Sequence, residues 1–246
     1  MLKEMVNGTL LRPLGYEINS VHHIMSRQRD SRSGWEQYKF IKPDGSFDYE
    51  QYRQLQQSKS IRDTDKVWCK EEVIAFLASY LKSHLDKIRV GLCHGTKWGQ
   101  EIEWFMKHLG VGAHVTGTDI TDWTKRNPNV IQWDFHEVKP EWLNYFDFVY
   151  SNALDHSYDP AKAVNAWMSC VRPGGYGLIE WHTYGEALTI TDPFAADIVQ
   201  LTYQILRAWC RGSYGIREII PRPDNTDICS IILYKFSALP DQLVSF

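Results

Sequence analysis

The sequence has no Cys-x-x-Cys pair, no Gly-x-Gly-x-x-Gly run and no excess of positive charge, and none of its apolar stretches approaches the roughly 18 residues of a membrane span. Its five cysteines, Cys69, Cys93, Cys170, Cys210 and Cys229, are odd in number and widely scattered. That spacing argues against a zinc ribbon or a redox couple and fits reduced, mostly buried thiols. With 27 basic and 30 acidic residues the formal charge is -3, and no Lys/Arg cluster supplies the positive patch that phosphate neutralisation requires, so nucleic acid is not an expected partner. The N-terminus lacks a basic region followed by an apolar run, which leaves no expected membrane partner and predicts a soluble, cytoplasmic protein. Internal repeats and low-complexity tracts are missing as well.

What is present suits one large α/β domain with an extension: 246 residues, 43% hydrophobic and 13% aromatic, enough to bury a full core. Residues 1–34 are polar, carry the charged run Ser26 to Ser33 and show no sustained period, and so read as a mobile arm. An aromatic-rich segment follows, with Trp35, Tyr38, Phe40, Phe47, Tyr49 and Tyr52 around the turn Pro43-Asp44-Gly45. Its helical stretch from Asp48 to Gln57 can act as a lid, or its rings can simply pack the extension onto the domain surface. A strongly amphipathic helix is predicted from about Lys70 to Asp86. The expected division is therefore an N-terminal extension over residues 1–69 and a main domain over residues 70–246.

From Arg89 onward strand and helix patterns alternate, which predicts a mostly parallel sheet covered on both faces. The stretch Arg89 to Glu101 is a short apolar strand, a turn punctuated by Gly95 and Gly99, and the start of a helix running from Gln100 to Leu109. A strand, glycine turn and helix N-terminus form a polar cradle for a nucleotide-like ligand, although any sharp strand-to-helix connection can use the same glycines. Four further strands are expected over residues 113–120, 129–133, 146–150 and 176–181, with a helix from Pro160 to Cys170 capped by Asp159. A long helix from about Phe194 to Arg211 and two closing strands over residues 214–220 and 226–236 complete the pattern, the last hairpin placing one antiparallel strand in the sheet.

Open parallel sheets bind ligands at the carboxyl ends of their strands. Asp119 ends the second strand about 20 residues beyond the glycine turn, where an acid meets ribose hydroxyls. Asp134-Phe135 ends the third, where the acid can accept from an exocyclic amine while the ring lies against a base. Ser151 to His156 ends the fourth, and Val171-Arg-Pro-Gly-Gly175 leads into the fifth.

These residues together resemble a class I S-adenosylmethionine-dependent methyltransferase of the small-molecule type over about residues 70–236. The resemblance implies a Rossmann-like doubly wound sheet of order 3-2-1-4-5-7-6, with S-adenosyl-L-methionine as cofactor. It implies cofactor contacts from Cys93, His94, Gly95, Thr96 and Gly99 in the glycine loop, from Asp119 and Ile120, from Asp134, Phe135 and His136, and from Ser151 and Asn152. The family often has an acid where Cys93 stands, so the methionine-side contact departs from the pattern. Methyl transfer from a sulfonium is an in-line displacement that needs alignment and exclusion of water, and a hydroxyl acceptor gains from a base with a pKa near neutrality. His156 and His182 are the candidates for that role, and Tyr52 is a candidate cation–π partner of the sulfonium. His136 can merely close the adenine loop and His94 can merely shape the turn. Asp155, His156, Asp159 and His182 lack a recognised ligand spacing, so no metal is expected. Trp133, Trp142, Trp167 and Trp209 are expected to pack core or helix faces, with Trp98 the exception inside the cofactor loop.

The implied reaction is methylation of a small metabolite or glycan, at oxygen. The alternatives are a non-catalytic cofactor-binding scaffold or partner subunit and an NAD(P)-dependent oxidoreductase, the latter disfavoured by the missing glycine run. Nothing in the sequence selects an oligomeric state.

Overall fold

Period-two sorting of side chains in the central strands builds the core. In the computed structural model Leu92, Val149, Ile179 and Ile231 point into one apolar layer, while Cys93, Phe148, Tyr150, Leu178 and Ile232 point into the other. A strand buried on both faces needs apolar residues at successive positions, which is why these strands read as near-continuous hydrophobic runs. The structure describes residues 6, 9, 16–20, 23–30 and 35–237, apart from Glu186 and Asn225.

Along the chain the elements are β1 (Tyr16–Ser20), β2 (His23–Asp30), β3 (Trp35–Lys39), α1 (Tyr49–Arg62), α2 (Glu71–His84), β4 (Val90–His94), α3 (Gln100–Leu109), β5 (His114–Asp119), β6 (Val130–Gln132), β7 (Phe146–Ser151), α4 (Pro160–Cys170), β8 (Val171–His182), β9 (Phe194–Ala195), α5 (Ile198–Gln204), β10 (Tyr214–Pro221) and β11 (Ile228–Lys235). A π-helical turn, Ile205–Trp209, continues α5. The main sheet runs β6-β5-β4-β7-β8-β11-β10, and β11 pairs antiparallel with both its neighbours. Helices α2 and α3 cover one face, α4 and α5 the other. This is the mixed α/β sheet, mostly parallel with one antiparallel strand, that the sequence predicts.

Three features depart from the sequence reading. Part of the predicted mobile arm is strand: β1, β2 and β3 form an antiparallel meander joined by β9 into a second, four-stranded sheet. The other residues of that arm, 6 and 9 aside, lie outside the described residues. Phe194–Ala195, predicted as the start of a helix, is the strand β9. The helix begins three residues later, where Asp197 caps it by accepting from the backbone N–H of Gln200. Finally, α1 extends beyond the predicted Gln57 to Arg62. Its N-terminus is fixed by Asp48, which accepts from the Gln51 N–H at 3.1 Å.

Helix α1 buries Tyr52, Gln56 and Ser60, one face at four-residue spacing, and that face is largely polar. Such a stripe does not seat a helix on an apolar core; it seats this one across the carboxyl ends of the main-sheet strands. Tyr52 joins Tyr38 and Phe40 in a small apolar cluster of its own, so these rings do pack the extension onto the domain.

Candidate active site

Under α1, at the carboxyl ends of β4, β5, β7 and β8, lies a cavity of about 240 Å³. Of the residues predicted for the site, Tyr52, Gly95, Asp119, Ile120, Asp134, Phe135, Asn152, His156 and His182 line it. Cys93, His94, Gly99, His136 and Ser151 do not line this main cavity but stand behind its wall, each with a local role, and Thr96 lines a smaller side cavity.

In the glycine loop, Gly95 and Gly99 both adopt positive φ, 69° and 86°. A Cβ on Gly95 would lie 2.5 Å from the Ala153 Cβ, and one on Gly99 would lie 2.6 Å from Ile102 Cδ1. The glycines thus serve the turn and close packing within the protein. Cys93 is fully buried between the sheet and helices α2 and α3. His94 stacks on Trp167 at 5.5 Å and its Nδ1 shares a 2.8 Å hydrogen bond with the Thr118 hydroxyl. Burial lowers the His94 pKa to about 3, so the ring is neutral. Ser151 donates to the His94 carbonyl at 3.0 Å, which locks the end of β7 to the end of β4. Trp98, inside the loop, donates to the Thr64 carbonyl at 3.2 Å and lies under the Arg126 guanidinium at 4.4 Å. It pins the loop to the segment after α1.

The second and third strand ends are built as polar receptors. Asp119 accepts from the backbone N–H groups of Lys97 at 2.9 Å and Thr121 at 2.8 Å, and Ser60 on α1 reaches its Oδ1 at 3.4 Å. Burial raises its pKa, partly offset by those backbone bonds. Asp134 spends one oxygen on His136, accepting from the backbone N–H at 2.9 Å and pairing with Nδ1 at 2.6 Å. His136 Nε2 in turn meets the Ser157 hydroxyl at 2.7 Å, so this histidine is an internal strut that orients Asp134. The other carboxylate oxygen, Asp134 Oδ2, is buried with no close hydrogen bond among the described residues, the Tyr49 hydroxyl of α1 being the neighbour that acts on this carboxylate. A buried acceptor without a close hydrogen bond is costly, and its position beside Phe135 suits the amine of an adenine ring.

The fourth strand end carries His156, whose Nδ1 lies 2.8 Å from the carbonyl oxygen of Thr191 and 3.3 Å from Asp192 Oδ1. A carbonyl oxygen can only accept, so Nδ1 carries the hydrogen and Nε2 keeps its lone pair in the neutral ring. Asp155 Oδ2 lies 3.9 Å from Nε2. Burial raises the Asp155 pKa; at Asp192 burial acts in the same sense but is outweighed by His156 and Lys59, which lower it. His182, at the end of β8, lines the same cavity.

Helix α1 is fastened to the ends of β5 and β7 and to the Thr191–Asp192 connection. Tyr52 donates to the His156 carbonyl at 3.1 Å, Gln56 to Thr191 O at 3.0 Å, Gln57 to Ile120 O at 3.0 Å, and Lys59 pairs with Asp192.

Sequence reasoning missed Lys59, Ser60, Trp68, Lys97, Glu180, Trp181, Asp192, Arg222 and Ile228, which complete the lining. Glu180 had a signal, being the lone acid in the apolar strand β8. In the fold it accepts from Tyr150 at 3.0 Å and pairs with the equally buried Arg222 at 2.8 Å. Ser60 had one too, four residues beyond Gln56 on the polar stripe of α1. Asp192 and Arg222 come from connections with no local pattern. Trp133 packs against the core and also lines the cavity, whereas Trp142, Trp167 and Trp209 are core residues. Of the residues weighed for a metal, Asp159 caps α4 and His182 lines the cavity, while Asp155 and His156 converge with Asp192, which the sequence reading did not include, their ligand atoms lying within 4.8 Å of one another and Lys59 already paired with Asp192.

Residues 92–179 match the family described as methyltransferase domain. Among solved structures the chain is similar to the 1,6-didemethyltoxoflavin-N1-methyltransferase of Burkholderia thailandensis, bound to 1,6-didemethyltoxoflavin and S-adenosylhomocysteine. The TM-score is 0.59 at 16% identity, over 90% of this chain and 99% of that one. It is also similar to the plantazolicin methyltransferase BpumL in complex with S-adenosylhomocysteine, with a TM-score of 0.55 at 14% identity over 76% and 96% of the two chains. The [4+2]-cyclase SpnF shares the fold at a TM-score of 0.51 and 14% identity, over 67% of this chain and 81% of that one. No curated protein matches the chain.

The sheet order, the strand-end receptors and the domain match define the class I S-adenosylmethionine-dependent methyltransferases. In the present chain the sheet has the order of that fold, and the segment matched to the methyltransferase domain runs from β4 into β8. S-adenosylmethionine, the cofactor of that class, supplies an electrophilic methyl group on a sulfonium. The buried Asp134 Oδ2 and the carboxylate of Asp119 are groups that fit its adenosine part.

Proposed function

We propose that this protein methylates a hydroxyl on a small metabolite or a glycan unit, with Asp119, Asp134 and Phe135 holding adenosine and His156 taking the acceptor's proton. The observation that carries this reading is the fixed tautomer of His156, whose Nδ1–H is committed to the Thr191 carbonyl at 2.8 Å. That bond turns the basic Nε2 into the free end of the ring, and Asp155 and Asp192 stabilise the imidazolium formed when the proton arrives. Around it, the carboxylates of Asp155, Asp192 and Glu180 can accept from hydroxyl groups, and Trp181 offers a ring face. Helix α1 closes the cavity from above, which excludes the water that would compete for the methyl group. The scaffold alternative has one structural argument in its favour: the likeness to a cyclase shows that this fold alone does not define methyl transfer.

Incubation with S-adenosylmethionine labelled in its methyl group and a panel of hydroxylated metabolites and oligosaccharides tests the proposal. Labelled product is expected from the wild type. His156→Ala should lose about 10²- to 10⁴-fold in turnover while S-adenosylhomocysteine still raises its melting temperature. Transfer undiminished in His156→Ala removes the base, and an inactive wild type across the panel supports the scaffold. A melting shift with NAD and none with S-adenosylhomocysteine points to the oxidoreductase.

A further inference from the structure

Glu101 sits in the first turn of α3, 4% exposed, and no ion pair of its carboxylate exists among the described residues. Its side-chain neighbours are neutral: the Thr96 hydroxyl and the thiol of Cys69, whose Sγ lies 3.9 Å from Oε2. A carboxylate this deep ordinarily has a cation or several N–H donors. Glu101 also lines a side cavity of about 40 Å³, which shares Trp68, Gly95, Lys97 and Asn152 with the main cavity. Thr96, 4% exposed, lines the same side cavity, and the one group its buried hydroxyl acts on is the neighbouring Glu101 carboxylate, with no closer hydrogen bond among the described residues. Two buried polar groups, one an acid without a counter-ion, thus share one small recess beside the glycine loop.

We propose that Glu101 and Thr96 receive the amino-acid end of S-adenosylmethionine, with the Glu101 carboxylate accepting from the α-ammonium. The proposal rests on the cofactor reading above and accounts for Cys93: the strand position where an acid was expected is filled by a thiol packed in the core, and the acid is delivered from the helix that follows. A cationic ligand gives Glu101 the counter-ion that the protein withholds. In the free protein the carboxyl pays for that arrangement, since burial pushes its pKa up to about 7, helped by Asp119 and Glu180 and partly opposed by Thr96. Cys69, Cys93 and Tyr150 share this pocket of negative potential, and their own pKa values are raised by burial first and by Glu101 as well.

Titration calorimetry at pH 8 with three ligands tests the assignment: S-adenosylhomocysteine, its analogue lacking the amino group, and 5′-methylthioadenosine, which lacks the whole amino-acid end. Wild type should prefer S-adenosylhomocysteine over the deaminated analogue by about tenfold or more, the range of a hydrogen bond to a charged group. Glu101→Gln should lose that preference and bind 5′-methylthioadenosine within about twofold of wild type. The same substitution should raise the melting temperature of the ligand-free protein at pH 8, because a buried unpaired charge is removed. Equal wild-type affinity for the two homocysteine ligands, or an unchanged preference in Glu101→Gln, overturns the proposal; the first outcome needs no variant to fold. A wild type that binds none of the three ligands instead overturns the cofactor reading itself.

Discussion

The residue that divides binding from chemistry most cleanly is Asp134. One of its oxygens is spent on His136 and the other is buried without a close hydrogen bond among the described residues, so the side chain already has the geometry of a receptor. Asp134→Asn retains an oxygen for the His136 N–H but puts a donor where the free acceptor stood. Affinity for S-adenosylhomocysteine should fall about tenfold by calorimetry, with the fold intact by circular dichroism. An affinity equal to that of wild type removes Asp134 from the cofactor site. At this scale the sequence was partly legible. Asp119, Asp134 and His156 stand at strand ends that the alternation of strand and helix located, and a strand end is where a parallel sheet exposes its ligands. His94, His136 and Ser151 carry side chains equally suited to a ligand, yet the fold spends them on Thr118, Ser157 and the His94 carbonyl. Residue type and chain position are the same in both cases; what differs is which way the side chain turns.

Among the elements, β7 shows how a polar group can hold the sheet together away from the cavity. Asp147, buried in this strand, accepts from the backbone N–H groups of Arg89 at 2.6 Å and Val90 at 2.9 Å and from the Arg172 guanidinium at 2.7 Å. It ties the start of β4 and the start of β8 to the strand between them. Asp147→Ala should destabilise the protein by about 2–4 kcal/mol in urea unfolding, because two buried N–H donors and a cation lose their acceptor. Folded variant should still bind S-adenosylhomocysteine normally; a loss below about 0.5 kcal/mol contradicts this role. The parallel strands and α3 and α4 were readable because their apolar periods are strong and their ends are marked by glycine, proline or a capping acid. The strands β1 and β2 were not, because a ladder of backbone hydrogen bonds imposes no side-chain pattern and these segments are largely polar. Likewise Phe194 is apolar enough to begin an amphipathic helix, but its backbone pairs with Gln37 on β3.

For the molecule as a whole, buried neutral histidine sets a pH response. His94 has its pKa lowered to about 3, first by burial and then by His136, against 6.5 for an exposed imidazole. His136 is lowered as well, again by burial first. The unfolded chain therefore binds protons that the folded chain refuses, and stability falls as pH drops below about 6.5 and continues to fall toward about 3. Each such group contributes a slope of up to about 1.4 kcal/mol per pH unit in that window. Urea midpoints measured from pH 7 to pH 4 should decline, and the decline should be shallower in His94→Gln. A slope unaltered by that substitution means that His94 is charged in the folded state.

Helix α1 attaches to the sheet domain mainly through bonds to carbonyls and carboxylates, with Tyr52 and Leu55 as its contribution to the small apolar cluster. Apolar burial is what gives protein association its large heat-capacity change, and with it a driving force that fades on cooling. A roof held by polar bonds has little of either. Its hold on the cavity should therefore vary less with temperature than the packing of α2 and α3 beneath the sheet, and in the cold α1 should stay seated while the apolar layers weaken.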